Sequence, residues 1–587
     1  MTAATRLTRR DKTEQQQMRK IIIYQVLTRL FGNQNGTRRE NGTLDENGVG
    51  KMNDFSLTVL TRIRKLGVTH IWYTGVIRHA TTTDYSAYGI PKQHPAIVKG
   101  RAGSPYAITD YYDIDPDIAV NVENRMREFH ALIARTHGAG MKVVIDFVPN
   151  HVARQYKSLA KPAGTADLGE GDDTSKHFSP TNNFYYCPGT ALEPQFDTVG
   201  SRGRYVEYPA KATGNDRFDS HPCANDWYET VKLNYGVDYC DAGGRSEHFN
   251  PIPDTWNKMT DILLFWAAKG VDAFRCDMAE MVPAPFWSWA IDKVKYRYPH
   301  IQFIGEVYNP ALYRTYIAAG FDYLYDKVGM YDCVRGVICG ARPAADITAQ
   351  WQATDDIRQH TLYFLENHDE QRIASAFFAG DARKGLPALA VLALMRPNPF
   401  MLYAGQEFGE KGMDKEGFSG IDGRTTIFDY WRVASIYNGY FNRKGLTEAQ
   451  KRIERAYGKV LTVAAAAGTG ADDVDDADDL FYDLMYVNAP IGQHIYAFLR
   501  RTGHRTWLVV ANFAGEAQDA PVNIPQHAFA YIGLCEGIYH AVDLLTDRTA
   551  TLALRHDNPV IVNIPAYSAK VLDLRPKGTA PRSPRKR

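Results

Sequence analysis

Apolar runs that alternate with helical periodicity predict an α/β fold. The expected form is a (β/α)8 barrel with a subdomain inserted after strand three and a C-terminal antiparallel β-sandwich. Three observations carry it. Eight strand-like runs, most separated by helical segments, lie between Ile21 and Phe441, the pattern of a parallel barrel. The alternation breaks from Val152 to Tyr235, a Gly-, Pro-, Asp- and Asn-rich stretch too long for a structureless loop inside a compact domain. Beyond "AAAAGTGADDVDDADD" the runs "QHIYAFLRR", "TWLVVANF" and "PVIVNIPAYSAKVLDL" read as strands with no helices between them.

In order, "IIIYQVLTRLFG" opens the barrel as a buried strand, and "DFSLTVLTRIRKLG" is an amphipathic helix that stops at Gly67. "VTHIWYTGV" is strand two, and a long loop then reaches Tyr112. "ENRMREFHALIARTHGAG" is the second helix and "KVVIDFVPNH" strand three. After the insertion come helix "DTWNKMTDILLFWAAKG", strand "VDAFRCD", helix "FWSWAIDKVKYRY" and strand "IQFIGEVY". "FDYLYD", "TLYFLENHDE" and "PFMLYAGQE" complete the eight. The expected divisions are a polar arm at 1–19, barrel at 20–151, insert at 152–235 and barrel again at 236–445. A helical connector and sandwich fill 446–575, and a basic tail fills 576–587.

The totals exclude several functions. Lys plus Arg number 68 and Asp plus Glu 67, which argues against a dedicated nucleic-acid or anionic-membrane binder. Seven cysteines in 587 residues form no disulfide framework and no zinc pattern. No run is long enough to span a bilayer, and "IIIYQVL" is too brief for a signal core. A cytoplasmic protein is expected. Nothing in the sequence fixes its oligomeric state.

The strand ends carry the chemistry. In such a barrel the active site forms at the C-terminal ends of the strands. Strand three ends in Asp146, Asn150 and His151, and strand four in Arg275 and Asp277. Strand five ends in Glu306, and strand seven in His368 and Asp369. Arg275 and Asp277 share one face of their strand, and a buried charge is costly unless paired or used. Adjacent strands lie about 4.7–4.9 Å apart. That separation suits the roughly 5 Å between the two carboxyl groups of a retaining glycosidase.

The blocks "DFVPNH", "GVDAFRCD", "FIGEV" and "FLENHD" resemble, in order and spacing, the four signature regions of the α-amylase family of glycoside hydrolases. The resemblance implies that Asp277 is the nucleophile, Glu306 the general acid/base and Asp369 the carboxylate that grips the distorted sugar. It implies that Arg275 supports the nucleophile and that His151 and His368 bind sugar hydroxyls. Within "SPYAITDYYDIDP" it points to Tyr106 as the ring stacked on the sugar to be cleaved, with Asp110 in the same block. The implied activity is retaining hydrolysis of α-1,4-linked glucans such as starch, glycogen or maltooligosaccharides. The alternatives are transglycosylation within the same family and an inactive carbohydrate-binding homologue.

The resemblance also implies a structural Ca2+ between barrel and insert, held by Asn150 and the Met281 carbonyl. Asp172, Asp173 and Asp197 are further candidate ligands, since calcium takes several oxygen ligands. One departure stands out. Many α-amylases carry Lys-His three and four residues past the nucleophile, where this chain has Glu280 and Met281. Their expected place is the leaving-group side of the cleft, with its hydrogen-bond polarity reversed.

Overall fold

The computed structural model describes residues 20–200, 203–412, 421–467 and 479–576. The arm at 1–19, most of the acidic stretch and the tail beyond 576 lie outside the described residues. Eight parallel strands close into a barrel. They are β1 Ile22–Leu27, β2 His70–Thr74, β3 Lys142–Phe147, β4 Ala273–Cys276, β5 Gln302–Gly305, β6 Tyr323–Tyr325, β7 Thr361–Phe364 and β8 Phe400–Tyr403. β1 pairs with both β2 and β8, which closes the ring.

Period-two alternation decides which side chains fill the barrel. Ile23, Trp72, Val144, Ala273, Ile304, Tyr325, Leu362, Phe364 and Met401 pack inside as one cluster. Their sequence neighbours, such as Tyr24, Tyr73, Ile145, Phe274 and Phe303, face outward into the larger core. The helices α1 Leu57–Lys65, α2 Arg125–Gly138, α3 Asp254–Ala268 and α4 Ala284–Arg297 cover that outer surface. Ser56 caps α1 by accepting from the Val59 amide, satisfying one of the donors a helix start leaves orphaned.

Shorter helices follow: α5 Tyr313–Ala318, α6 Asp332–Ile338, α7 Ile347–Ala353 and α8 Leu386–Leu394. In α8, Pro387 through Leu394 are all buried, as befits a helix that is apolar all round. It packs against α10 Glu448–Ala466 on one side and against strands of the C-terminal sheet on the other. The helix thus joins the two domains. Between β8 and α10 lies α9 Ala434–Tyr440.

Two features leave the barrel before α3. Strands Ile77–His79 and Ile108–Ile114 form an antiparallel hairpin within what the sequence reads as loop. Buried Arg78 ties it together, 3.2 Å from Asp110 and 2.9 Å from Asp113. Asp110 also accepts from Ser158 Oγ and from the Leu159 and Ala160 amides. Its role is to anchor the start of the insert. The insert leaves after β3 through His151–Ala153, which pairs antiparallel with Thr230–Lys232. Short ladders such as Tyr186–Cys187 with Ala210–Lys211 complete it before the chain rejoins the barrel at α3.

The C-terminal domain is an antiparallel sandwich of a six-stranded and a two-stranded sheet. The absence of helices expected there does not hold, because Gln526–Ile532 is helical and buries Ala528, Phe529 and Ile532. Among the described residues no helix is long and apolar enough to cross a membrane.

Candidate active site

The β4–β5 ladder sets the centre of the site. Cys276 pairs with Gly305 in parallel register, so the next residues, Asp277 and Glu306, emerge side by side at the barrel mouth. Backbone bonds extend past both strand ends, from the Asp277 amide to Phe147 O (2.9 Å) and from the Glu306 amide to Cys276 O (3.1 Å). The chain then turns sharply at Met278, whose φ of 42° is left-handed, an uncommon and strained conformation for a non-glycine residue. The turn brings the Met278 amide 2.8 Å from Glu306 Oε2.

Arg275 lies beneath and is fully buried. Its Nη1 donates to Asp277 Oδ1 at 2.6 Å, and its Nη2 stands 2.8 Å from Glu306 Oε2. Asp146, its register partner on β3, lies 3.5 Å from Nη1 and accepts from Trp72 Nε1 at 2.9 Å. The Trp72, Tyr106 and Tyr325 rings stand 5.0, 5.5 and 5.6 Å from the guanidinium. One cation therefore meets three carboxyl groups inside an aromatic sleeve.

The electrostatics follow from that crowding. Burial pushes the Asp277 carboxyl up, Arg275 opposes the shift, and Glu306 adds to it. Burial raises Asp146 to about 7, with Arg275 opposing. Burial, reinforced by the Glu306 charge, raises Asp369 to about 7. With one guanidinium opposing the crowding, Asp146 and Asp369 still retain protons up to about pH 7.

The opposite wall is neutral. Burial drives His368 well below its usual range and His151 down to about 3. Gln25 Nε2 lies 2.7 Å from His368 Nδ1. As a donor there, it places the imidazole proton on Nε2, which faces Tyr106 OH at 2.5 Å and Asp369 Oδ2 at 3.1 Å. The Tyr106 and His368 rings stack at 5.3 Å. Tyr106, His151, Asp277, Glu306, His368 and Asp369 all line one cavity of about 310 Å³. Of the expected catalytic and sugar-binding residues, Arg275 alone lies below that cavity rather than in its wall.

Sequence reasoning missed several participants. Gln25 and Trp72 point into the barrel by alternation alone, but nothing local marks them as functional. Nothing in the sequence marks Tyr308, yet its hydroxyl donates to Glu306 Oε1 at 2.7 Å. Glu280, expected with Met281 on the leaving-group side of the cleft, is engaged by the main chain. Its Oε2 accepts from the Tyr308 amide at 3.1 Å and the Asn309 amide at 3.0 Å, so the carboxylate clamps the loop that carries Tyr308.

At the expected calcium position the structure places the Lys232 ammonium. Asn150 Oδ1 accepts from Lys232 Nζ, and its Nδ2 donates to Gly214 O at 2.8 Å. The same ammonium reaches Asp216 at 2.6 Å and the Met281 carbonyl at 3.3 Å. These oxygens already surround a buried cation, so the residues present do not fit a calcium ion. Asp172 is turned to the Asn183 and Phe184 amides and Tyr186 OH, and Asp173 to Ser175 and Lys176. Among the described residues, no three His, Cys, Asp or Glu side chains are grouped to hold a metal.

A family model described as "Alpha amylase, catalytic domain" matches residues 25–304. The chain is 23% identical over 461 residues to Alpha-amylase 3 of Dictyoglomus thermophilum, covering 75% of this chain and 76% of that protein. It is 25% identical to an alpha-amylase of Streptomyces lividans, covering 89% of this chain and 56% of that longer protein. Among solved structures, the maltogenic alpha-amylase AmyB of Thermotoga neapolitana superposes with a TM-score of 0.59 at 18% identity. That match covers 95% of this chain and 99% of the other.

The lysine-filled position yields a direct test. Chelation by EDTA is expected to leave the melting temperature unchanged, and elemental analysis to find no stoichiometric calcium. Lys232→Met is expected to lower stability by about 1–3 kcal/mol in urea unfolding, because it leaves Asn150, Asp216 and the Met281 carbonyl without their donor. A large drop in melting temperature with EDTA would show that a metal, not the ammonium, holds this junction.

Proposed function

We propose that this chain, a member of the α-amylase family of glycoside hydrolases, cleaves α-1,4-linked glucans with retention of configuration. Asp277 acts as nucleophile and Glu306 as general acid/base. The observation that carries the reading is Arg275, which meets Asp277 and Glu306 from one guanidinium at 2.6 and 2.8 Å. The two carboxyls project from paired positions on adjacent strands, the close arrangement that retention requires.

The steps follow from the geometry. A glucosyl ring seated over Tyr106 presents C1 to Asp277 and its glycosidic oxygen to Glu306. Asp277 forms a bond to C1 as the C1–O bond breaks, and Glu306 gives its proton to the departing oxygen. Glu306, now ionised, takes a proton from water, whose oxygen attacks C1 and releases Asp277. A sugar hydroxyl in place of water gives transglycosylation by the same residues. Asp369, 3.1 Å from His368 Nε2, accepts from hydroxyls of the distorted ring. Neutral His151 and His368 read the remaining hydroxyls without adding charge beside the positive transition state. Arg275 steadies Asp277 as it departs. Lys232 takes the place of a structural ion between barrel and insert. A reducing, cytoplasmic setting suits the seven unpaired thiols.

Proton NMR of the first product is expected to show the α-anomer, whereas an initial β-anomer would overturn the nucleophile assignment. Asp277→Asn and Glu306→Gln are each expected to abolish turnover of maltooligosaccharides with the melting temperature preserved. Glu306→Gln should keep more activity on aryl glycosides, which need little protonation to leave.

Tyr308 and its clamp act through Glu306. Glu280→Ala and Tyr308→Phe are each expected to lower kcat about 5- to 30-fold, the equivalent of one lost hydrogen bond at a charged group. KM should barely move, and the loss should shrink on activated aryl substrates. Altered product sizes at unchanged kcat would return Glu280 to the leaving-group subsite.

The pH profile follows from the raised carboxyls. Asp146 and Asp369 stay protonated up to about pH 7, and above it the barrel mouth gains their negative charge. The alkaline limb of kcat/KM is expected to have its midpoint near there. Because both folded values exceed the ordinary value near about 4, their contribution to stability is full in acid and is lost as pH rises through about 7. Urea midpoints measured across pH 4–8 check this sign.

A further inference from the structure

We propose that the cleft is closed on its donor side by Lys99 and Glu229, so that the enzyme reads the non-reducing end of its substrate and works from chain ends. The proposal rests on the glycosidase reading above and deepens it.

The polarity of the cleft comes from the barrel. Glu306 must face the glycosidic oxygen, so the leaving group lies over the ends of β4 and β5, beside Met278 and Tyr308. The donor sugars extend the other way, over the ends of β8, β1 and β2. On that rim the same 310 Å³ cavity is lined by Lys99 from the hairpin loop, Trp227 and Glu229 from the insert, and Ile427 and Phe428 after β8. That volume is at the low end of the roughly 300–1,000 Å³ typical of small-ligand pockets.

Three separate segments meet at the wall. Lys99 Nζ stands 3.3 Å from Glu229 Oε2, 5.5 Å from the Tyr228 ring centroid and 5.9 Å from that of Phe428. The ammonium thereby bridges the insert and the loop after β8, where an interior segment of a glucan chain would have to pass. Glu229 is 4% exposed, and its Oε2 faces the Lys99 ammonium. A carboxylate oxygen accepts more than one hydrogen bond, so Oε2 can take a sugar hydroxyl beside the ammonium. An ammonium donor beside a carboxylate acceptor matches neighbouring hydroxyls of a terminal glucosyl unit, each of which both donates and accepts. Half-buried Trp227, its ring 5.3 Å from that of His151, offers an apolar surface to the same sugar.

The test compares maltoheptaose with maltoheptaose capped at its non-reducing end by a 4,6-O-ethylidene group, with products followed by chromatography. Free maltoheptaose is expected to be shortened from the non-reducing end. The capped form should turn over at least about 100-fold more slowly, because a site built to bond a hydroxyl rejects its blocked analogue. Glu229→Gln and Lys99→Met should raise KM for the free substrate about tenfold or more with kcat changed little, and should narrow the free-to-capped ratio. Equal cleavage of both substrates by the unaltered enzyme would show an open groove and overturn the proposal, leaving the glycosidase reading in place. Discrimination that survives both substitutions would overturn the assignment to Lys99 and Glu229. Turnover of neither substrate would sink the glycosidase reading itself, and this inference with it.

Discussion

The charge balance around Arg275 is the constraint on which the site depends. A guanidinium buried at the top of a barrel core is tolerable only because carboxyls from the neighbouring strands compensate it. Those carboxyls can be buried and close to one another only because the guanidinium is there. Asp277 and Glu306 come from β4 and β5, and Asp146 is its partner in register on β3. The aromatic sleeve of Trp72, Tyr106 and Tyr325 excludes water and favours the cation through its ring faces. Remove the arginine, and the carboxyls face one another at low dielectric with no cation to oppose their protonation. One interaction thus sets geometry and proton count together.

The same logic recurs where the insert meets the barrel. Asn150, Asp216 and the Met281 carbonyl converge on the Lys232 ammonium. A covalently attached cation is always present at full occupancy, whereas an ion must be captured from solution. The insert matters to the chemistry because it supplies the wall opposite the barrel, including Trp227 and Glu229. Burial lowers the Lys232 ammonium against the pull of Asp216, so the junction combines a real desolvation cost with a specific set of acceptors. Arg78 repeats the arrangement on a smaller scale, holding Asp110 and Asp113 so that the hairpin carrying Lys99 and Tyr106 stays over the mouth.

Glu280 shows how one residue is reassigned when its partners become visible. Three residues past Asp277, an acidic side chain reads most simply as a subsite group. In the structure both of its bonds go to backbone amides of the next βα loop, and that loop presents Tyr308 to Glu306. Glu280 therefore reaches Glu306 through the main chain and the Tyr308 hydroxyl.

The sequence by itself determined the barrel, the break after strand three, the C-terminal sandwich and the strand ends that bear Asp277, Glu306, Asp369, Arg275 and His368. These follow from local rules. Alternation assigns each side chain to a face, strand length places the last residues at the mouth, and the order of motifs repeats along the chain. Only the tertiary structure decided that Lys232 answers Asn150, that Glu280 holds the Tyr308 loop, that Gln25 fixes the tautomer of His368, and that Lys99 meets Glu229. Each of these is a pairing between residues 28 to 343 positions apart. A hydrophobic pattern specifies which face of an element is buried. It carries no record of which polar group from a distant segment will be there to satisfy it, and that is fixed only when the elements pack.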